Sequence, residues 1–105
     1  MRYILCALNS NLNDKIIISQ IDTNKFNIQS TYGSVDLNIP ITSPNGYKAI
    51  GCYFVGFEGS YRGVLSCFDC KLTSPTNAYC GIAKNINQPL VGDNYGKINI
   101  IFEKI

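Results

Sequence analysis

The sequence contains no histidine, and only 15% of its residues are charged. Without histidine the chain has neither a Ser-His-Asp nor a Cys-His arrangement, and it lacks the commonest general acid and base. Catalysis would then depend on the seven Asp and Glu residues, most of which fall in predicted turns or on the solvent side of predicted strands. We therefore predict that the chain is not an enzyme. A carboxylate-based carbohydrate-active enzyme is the less favoured alternative.

The low charge also restricts the partners of the chain, because average domains are about 25% charged. A surface this poor in charge is covered by uncharged polar residues or is buried against other chains, which makes a homo-oligomer plausible. No two of the nine Lys and Arg residues are adjacent, so we predict no nucleic-acid partner. No segment approaches the roughly 20 apolar residues of a membrane helix, and we expect no membrane insertion.

Five cysteines at irregular positions argue against a complete disulfide framework and favour free thiols. Cys67 and Cys70 have the C-x-x-C spacing of metal and redox motifs. In a regular strand their side chains would point to opposite faces. They could share a metal ion only across a bulge and with Cys52 and Cys80 converging on them. We therefore predict no metal site. Nucleotide-binding glycine motifs are absent from the sequence, so we also predict no cofactor.

Apolar and polar residues alternate with a period of two, most clearly where Val35, Leu37 and Ile39 share one face. The segments are short and are bounded by Asn, Gly, Pro and Ser, as is typical of strands. The predicted strands cover residues 2–8, 15–21, 25–31, 34–41, 48–57, 63–72, 78–85 and 97–104. We predict a single domain over residues 1–105. Its fold class is all-β, an antiparallel, jelly-roll-like β-sandwich of about eight strands with no significant helix.

Three connections carry residue types that favour chain reversal: Pro44-Asn45-Gly46, Asp93-Asn94-Tyr95-Gly96 and Asp22-Thr23-Asn24. Proline fixes φ, while Asn and Gly tolerate left-handed backbone geometry. The third connection suggests that residues 1–33 form a more peripheral β-meander that completes one sheet. The alternative is that this segment reaches across to another subunit.

Side chains typical of sugar recognition are concentrated in or beside the predicted connections. Aromatic rings pack on the apolar C–H faces of sugars, while amides and carboxylates bond the hydroxyl groups. The loop from Glu58 to Gly63 is polar and contains two large side chains, and such loops often make contacts. The predicted ligand-binding residues are Tyr61, Arg62, Glu58, Tyr47, Asn45, Tyr95 and Asn94. The alternative for each tyrosine is a ring that covers the core with its hydroxyl in water.

Five segments carry a resemblance to a known family: the strand Val35–Ile39, the element Pro44-Asn45-Gly46-Tyr47-Lys48-Ala49-Ile50-Gly51, the middle segment Val64–Leu72, the segment Ala78–Asn87, and the hydrophobic closing stretch from Gly96 to Lys104. With them, the chain from about Ser34 onward resembles the C-terminal tip domain of phage tail-fibre, head-fibre and baseplate receptor-binding proteins. The resemblance covers roughly two-thirds of the chain. Five cysteines are more than such tips usually hold.

The resemblance implies a β-sandwich that forms a homotrimer about the fibre axis and binds a host cell-surface receptor, in particular a glycan. It implies a virion location at the tail or fibre tip, after synthesis in the bacterial host cytoplasm. A trimer would hide one face of each subunit and so account for the low surface charge. The alternative is a structural decoration or adaptor module that docks on other virion proteins.

Overall fold

Strands make up most of this protein in a computed structural model that describes residues 15–28, 33–85 and 90–105. The strands are β1 (Ile16–Asp22), β2 (Phe26–Ile28), β3 (Ser34–Pro40), β4 (Tyr47–Glu58), β5 (Leu65–Ser74), β6 (Asn77–Lys84) and β7 (Leu90–Lys104). A short 3-10 turn, Arg62–Val64, separates β4 from β5. The described residues include no α-helix and no helix long and apolar enough to cross a membrane.

The strands form two antiparallel sheets. In the first sheet, β7 is central: β4 pairs along one edge, and β1 and β2 follow one another along the other edge. In the second sheet, β6 lies between β3 and β5. The two sheets pack together around one core, so the predicted all-β antiparallel sandwich is confirmed.

The core follows from the period-two alternation of the two central strands. Ile98 and Ile100 of β7 belong to the same core cluster as Cys80 and Ile82 of β6, and all four residues are fully buried. Burying one such isoleucine contributes roughly 1.5–3 kcal/mol. These alternate positions therefore hold the sheets together.

Seven of the eight predicted strands coincide with observed strands, with differences at their ends. The remaining prediction, a strand at residues 2–8, lies outside the described residues. The predicted turn at Pro44-Asn45-Gly46 is confirmed. The Tyr47 amide donates to the Pro44 carbonyl at 3.0 Å, and Gly46 has a φ of 84°, as the third position of a type II turn requires.

The reversal predicted at Asp93–Gly96 is wrong, because these residues lie inside β7. Asn94 pairs with Phe26 on one side, while Tyr95 and Gly96 pair with the end of β4 on the other. Partner strands along both edges satisfy the backbone groups of this segment. Sheet pairing here overrides the local turn preference.

The hairpin predicted at Asp22-Thr23-Asn24 is also wrong. Strands β1 and β2 pair with β7 and not with each other. The Thr23 amide donates to the Gly96 carbonyl at 2.8 Å, and the Gly96 amide donates to Thr23 Oγ1 at 2.8 Å. Thr23 thus continues the edge of β7 between two strands that run in the same direction, so this stretch belongs to the sandwich.

Candidate functional site

The seven predicted ligand-binding residues fall into two groups at opposite ends of β4. Asn45 and Tyr47 lie at its start, whereas Glu58 and the following loop lie at its end. At about 3.4 Å per residue, a strand of 12 residues separates the groups by a distance on the order of 35 Å. The structure therefore does not bring all seven together, and Asn45 and Tyr47 are remote from the others.

Four of the predicted residues lie at or beside the end of β4, and we call them the connection site: Glu58, Tyr61, Arg62 and Tyr95. Glu58 and Tyr95 are direct cross-strand partners. Arg62 Nη1 donates to the Gly59 carbonyl at 3.5 Å, in an exposed position. The connection site therefore presents two aromatic rings, a carboxylate and a guanidinium near one turn.

Asn94 has a different position from the one that sequence reasoning suggested. Its side chain is only 1% exposed, and its Oδ1 accepts a hydrogen bond from the Tyr61 amide at 3.3 Å. Its Nδ2 is buried without a hydrogen-bond partner in the part of the chain that the structure describes. Asn94 therefore anchors the β4–β5 connection from below, and it does not face solvent where a ligand would bind.

The solvent side of the second sheet carries a further set of side chains, which we call the aromatic face: Asp36, Phe68, Asp69, Lys71 and Tyr79. Phe68 is 58% exposed. The Tyr79 hydroxyl donates to Asp36 Oδ1 at 2.7 Å. Lys71 Nζ lies 3.0 Å from Asp69 Oδ2 and 5.5 Å from the centroid of the Tyr79 ring. Two rings, two carboxylates and an ammonium group thus share one surface.

Gly81 explains how the two rings come together on the aromatic face. A Cβ atom at this position would lie 2.5 Å from Phe68 Cζ and 2.9 Å from Tyr79 Oη. Both side chains therefore occupy the space directly above the backbone of β6. Only glycine allows this approach, because any other residue would begin a side chain inside the Phe68 ring.

Hydrogen bonding to the Asp36 carboxylate raises the pKa of Tyr79 to about 12, with smaller contributions from desolvation and from the negative charges of Asp36 and Asp69. The hydroxyl therefore stays protonated and continues to donate at neutral pH. This hydrogen bond fixes the orientation of the Tyr79 side chain relative to β3.

Sequence reasoning missed the aromatic face as a site, although part of its signal was present. The alternation of β3 correctly placed Asp36 on a solvent-facing side. The register that sets Tyr79 opposite both Asn38 and Lys71 depends on pairing between strands distant in sequence. A pattern within one strand carries no information on such pairing.

Four cysteines, Cys52, Cys67, Cys70 and Cys80, converge between the two sheets, and we call them the thiol cluster. Cys70 Sγ lies 3.8 Å from Cys52 Sγ and 3.6 Å from Cys80 Sγ. Cys67 Sγ donates to the Asp69 carbonyl at 3.2 Å. All four are free thiols.

The prediction that Cys67 and Cys70 face opposite sides is wrong, because the register of β5 shifts between Cys67 and Asp69. The extra residue at this bulge, Phe68, turns outward, and both cysteines remain partly buried against the core. A bulge changes the alternation by one residue. The same local irregularity thus creates the thiol cluster inside and exposes the Phe68 ring outside.

Burial dominates the electrostatics of the thiol cluster. It raises the pKa of Cys52 and of Cys70 to about 12 and that of Cys80 to about 11, and repulsion from neighbouring thiol groups adds to each shift. These thiols are therefore protonated and weakly nucleophilic at neutral pH. Across residues 15–28, 33–85 and 90–105, no group of three or more His, Cys, Asp or Glu is placed to hold a metal ion.

The first sheet exposes large apolar side chains, which we call the apolar face: Ile18 of β1 and Ile50, Tyr53 and Val55 of β4. Each is about half exposed. Ile18 lies directly opposite Ile101 on β7, which extends the apolar surface toward β4. Within this face, Asn99 Nδ2 donates a hydrogen bond to the Tyr53 hydroxyl at 2.9 Å.

The outer surface of the first sheet therefore combines these large apolar side chains with exposed Gln20, Lys48 and Glu103, whereas that of the second sheet carries aromatic and charged side chains. The connection site lies where the chain passes from the first sheet to the second. No family model matches this chain, and the searches of curated proteins and of solved structures give no significant match.

Proposed function

We propose that this chain is a non-catalytic recognition domain of a phage virion, placed at a tail or fibre tip, where it self-associates and binds a host cell-surface glycan. The observation that supports this best is that several large apolar side chains are half exposed on the first sheet, whereas an exposed Phe68 ring lies among charged side chains on the second. The apolar face is suited to contact with other copies of the chain. The aromatic face is suited to a ligand rich in hydroxyl groups.

The assembly part of the proposal rests on the half-exposed side chains of the apolar face. Soluble monomers rarely expose large contiguous apolar patches, and larger patches mark interaction surfaces. Ile18 and Val55 belong to strands on opposite edges of β7, so exposed apolar side chains occur across the width of the first sheet. A homotrimer that buries this face would leave the second sheet free on every subunit.

The ligand part of the proposal rests on the residue types of the aromatic face. An exposed ring such as Phe68 can pack against the C–H face of a sugar. Carboxylates accept hydrogen bonds from hydroxyl groups, while the ammonium group of Lys71 donates them. A single site of this kind binds weakly, and three sites on one trimer would raise the apparent affinity through multivalency.

The carboxylates of the aromatic face also support a binding role over a catalytic one. Asp36 accepts the Tyr79 hydroxyl, and Asp69 pairs with Lys71. Each carboxylate is thus held by a neighbour on the same sheet. A glycosidase needs two carboxyl groups directed at a bond held between them.

Light scattering coupled to size-exclusion chromatography tests the assembly. The unmodified chain should be a trimer at micromolar concentration, and Ile18→Asp should be a monomer, because a charge would be buried in the contact. Ser66→Asp is the matched control, since Ser66 is exposed on the opposite sheet, and it should stay trimeric. A monomeric unmodified chain would contradict the proposal.

A glycan array followed by titration calorimetry tests recognition. Phe68→Ala should weaken binding to the selected glycan about tenfold, because the ring contact is lost. Ile105→Ala, which removes an even more exposed apolar side chain, should bind normally. Loss of binding in Tyr61→Ala and Arg62→Ala with normal binding in Phe68→Ala would move the ligand to the connection site.

A second candidate function is a decoration or adaptor module, and the apolar face favours it too. In that case the occupant of the apolar face is another virion protein, and no glycan is bound. Silence on the glycan array, together with tight binding to isolated capsids or tails that Ile18→Asp abolishes, would favour this function over receptor recognition.

A further inference from the structure

We infer that the thiol cluster is an oxidation site, at which a small disulfide oxidant such as oxidised glutathione joins Cys52 of β4 to Cys70 of β5 and thereby links the two sheets covalently. The inference concerns the scaffold and is independent of what the domain binds. It follows from the distances between the sulfur atoms, the strand pairing and the access to each thiol.

The distance between the two sulfur atoms is short enough for bond formation with small side-chain rotations. Cys52 Sγ and Cys70 Sγ lie 3.8 Å apart. A disulfide bond measures about 2.05 Å, so each sulfur atom has to move by roughly 0.9 Å. Strands β4 and β5 also approach each other within 8 Å between Cα atoms along part of their length, close to the roughly 7 Å limit that a disulfide sets without backbone movement.

Cys80 is closer to Cys70, at 3.6 Å between sulfur atoms, but its backbone position disfavours a bond. Cys70 and Cys80 are direct cross-strand partners. The Cβ atoms of such partners lie about 4.5–5.5 Å apart, whereas a disulfide brings its Cβ atoms to about 3.8 Å. A bond between these two cysteines would have to pull β5 and β6 together against their hydrogen-bond ladder.

Access to the oxidant disfavours Cys80 and leaves three partly exposed thiols, those of Cys52, Cys67 and Cys70. Cys80 is 0% exposed, whereas Cys52 and Cys70 are partly exposed. A small disulfide can therefore reach one of these two sulfur atoms first, and the other lies next to it.

The reaction balances as two thiol–disulfide exchanges. The thiolate of Cys52 or Cys70 attacks one sulfur of oxidised glutathione, which forms a mixed disulfide and releases the first glutathione thiol. The second cysteine then attacks the protein sulfur of the mixed disulfide, which forms the Cys52–Cys70 bond and releases the second glutathione. The protein loses two protons and two electrons, and both pass to the two reduced glutathione molecules.

A disulfide bond between Cys52 and Cys70 would close the chain segment between the two sheets into a covalent loop. Cys52 and Cys70 are 18 residues apart, and the segment between them contains Glu58, Tyr61 and Arg62. Closing a loop of this length restricts the unfolded chain. Oxidation should therefore stabilise the sandwich and restrict movement of the connection site.

The experiment uses the full chain with Cys6→Ser, so that only the four described thiols remain, in the presence of a chelator. The protein is equilibrated with excess oxidised glutathione, blocked with an alkylating reagent and digested with trypsin. Cleavage after Lys and Arg places Cys52 in 49–62, Cys67 and Cys70 together in 63–71, and Cys80 in 72–84. A second protease that cuts before Asp69 separates Cys67 from Cys70.

We expect the linked peptide pair 49–62 and 63–71, with Cys70 as the bonded residue, and an increase of the melting temperature by about 10 °C that a dithiol reductant reverses. Cys67→Ser should retain the link and Cys52→Ser should lose it. A link confined to Cys70 and Cys80, or four thiols that remain alkylatable after prolonged oxidation, would overturn the inference. Because peptide mapping of the Cys6→Ser chain decides the outcome, a Cys52→Ser variant that fails to fold leaves the test intact.

Discussion

Phe68 and Gly81 lie against each other on adjacent strands, and the Phe68 ring occupies the space where a side chain at position 81 would begin, with its Cζ 2.5 Å from the ideal Cβ. Gly81→Ala should therefore displace the ring and the Tyr79 hydroxyl. Such overpacking costs about 1–3 kcal/mol. Urea denaturation measures this loss as a lower midpoint.

Gly56→Ala is the matched control for Gly81→Ala. Gly56 is also a strand residue, and a Cβ at this position has nothing within 4 Å. Its denaturation midpoint should stay the same or rise slightly. Equal losses in the two variants would show that the close approach of Phe68 to β6 has no energetic importance.

The hydrogen bond from Tyr79 to Asp36 predicts a late-titrating tyrosine. Its folded-state pKa is raised from 10.0 to about 12, so the stability that this bond contributes is present below pH 10 and is lost as the pH rises from 10 toward 12. Ultraviolet absorbance of tyrosinate should show one tyrosine that ionises last, and this component should vanish in Tyr79→Phe.

Asp36→Asn tests whether the Asp36 carboxylate causes the raised pKa of Tyr79. Without the charged acceptor, the pKa of Tyr79 should return toward its ordinary value, and the late component should merge with the remaining tyrosines. An unchanged titration in Asp36→Asn would mean that the carboxylate does not hold the Tyr79 proton.

The hydrogen bond between buried Asn94 and the Tyr61 amide predicts that a substitution in the core changes the stability of the connection site. Its Oδ1 accepts the Tyr61 amide hydrogen, so Asn94→Ala leaves this amide without its partner. The loss should cost about 1–2 kcal/mol and speed up hydrogen exchange at Tyr61. Asn99→Ala, on the same strand but in contact with Tyr53, should leave exchange at Tyr61 unchanged. Equal exchange in the two variants would contradict the anchoring role.

The fold could be predicted from the sequence because burial on one face imposes an alternation that is visible within each strand. The alternation of Val35, Leu37 and Ile39 already identified the buried side of β3. Gly46 identified the turn that directly precedes β4. Predictions failed where the turn preference of a short segment competes with its pairing to neighbouring strands. The Asn94–Gly96 segment has turn residues, yet it lies in a strand with neighbours on both edges.

The candidate site was harder to predict, because it depends on one inserted residue and on long-range register. The bulge at Phe68 reverses the alternation between Cys67 and Cys70, and nothing in the tetrapeptide shows where an extra residue will be accommodated. Similarly, residue type suggested Asn94 as a ligand contact. Its burial follows from the packing of the β4–β5 connection above it, which a single strand cannot reveal.

The thiol cluster predicts a stability that falls at alkaline pH. Burial raises the pKa of Cys52 and Cys70 from 9.0 to about 12 in the folded chain, so folding favours the protonated thiols. Their contribution is fully present below pH 9.0 and is lost as the pH rises from there toward 12. Under reducing conditions, the urea midpoint should therefore be level near neutral pH and should decline above pH 9.0.

A double variant, Cys52→Ala with Cys70→Ala, provides the comparison that separates the effect of these thiols from that of Tyr79. Its midpoint should decline less steeply over the same range. The same shifts predict that iodoacetamide modifies Cys52 and Cys70 more than about tenfold more slowly in the folded chain than in urea, because the reactive thiolate is scarce. Equal rates in the folded and unfolded chains would show that the thiols are not buried as the sandwich places them.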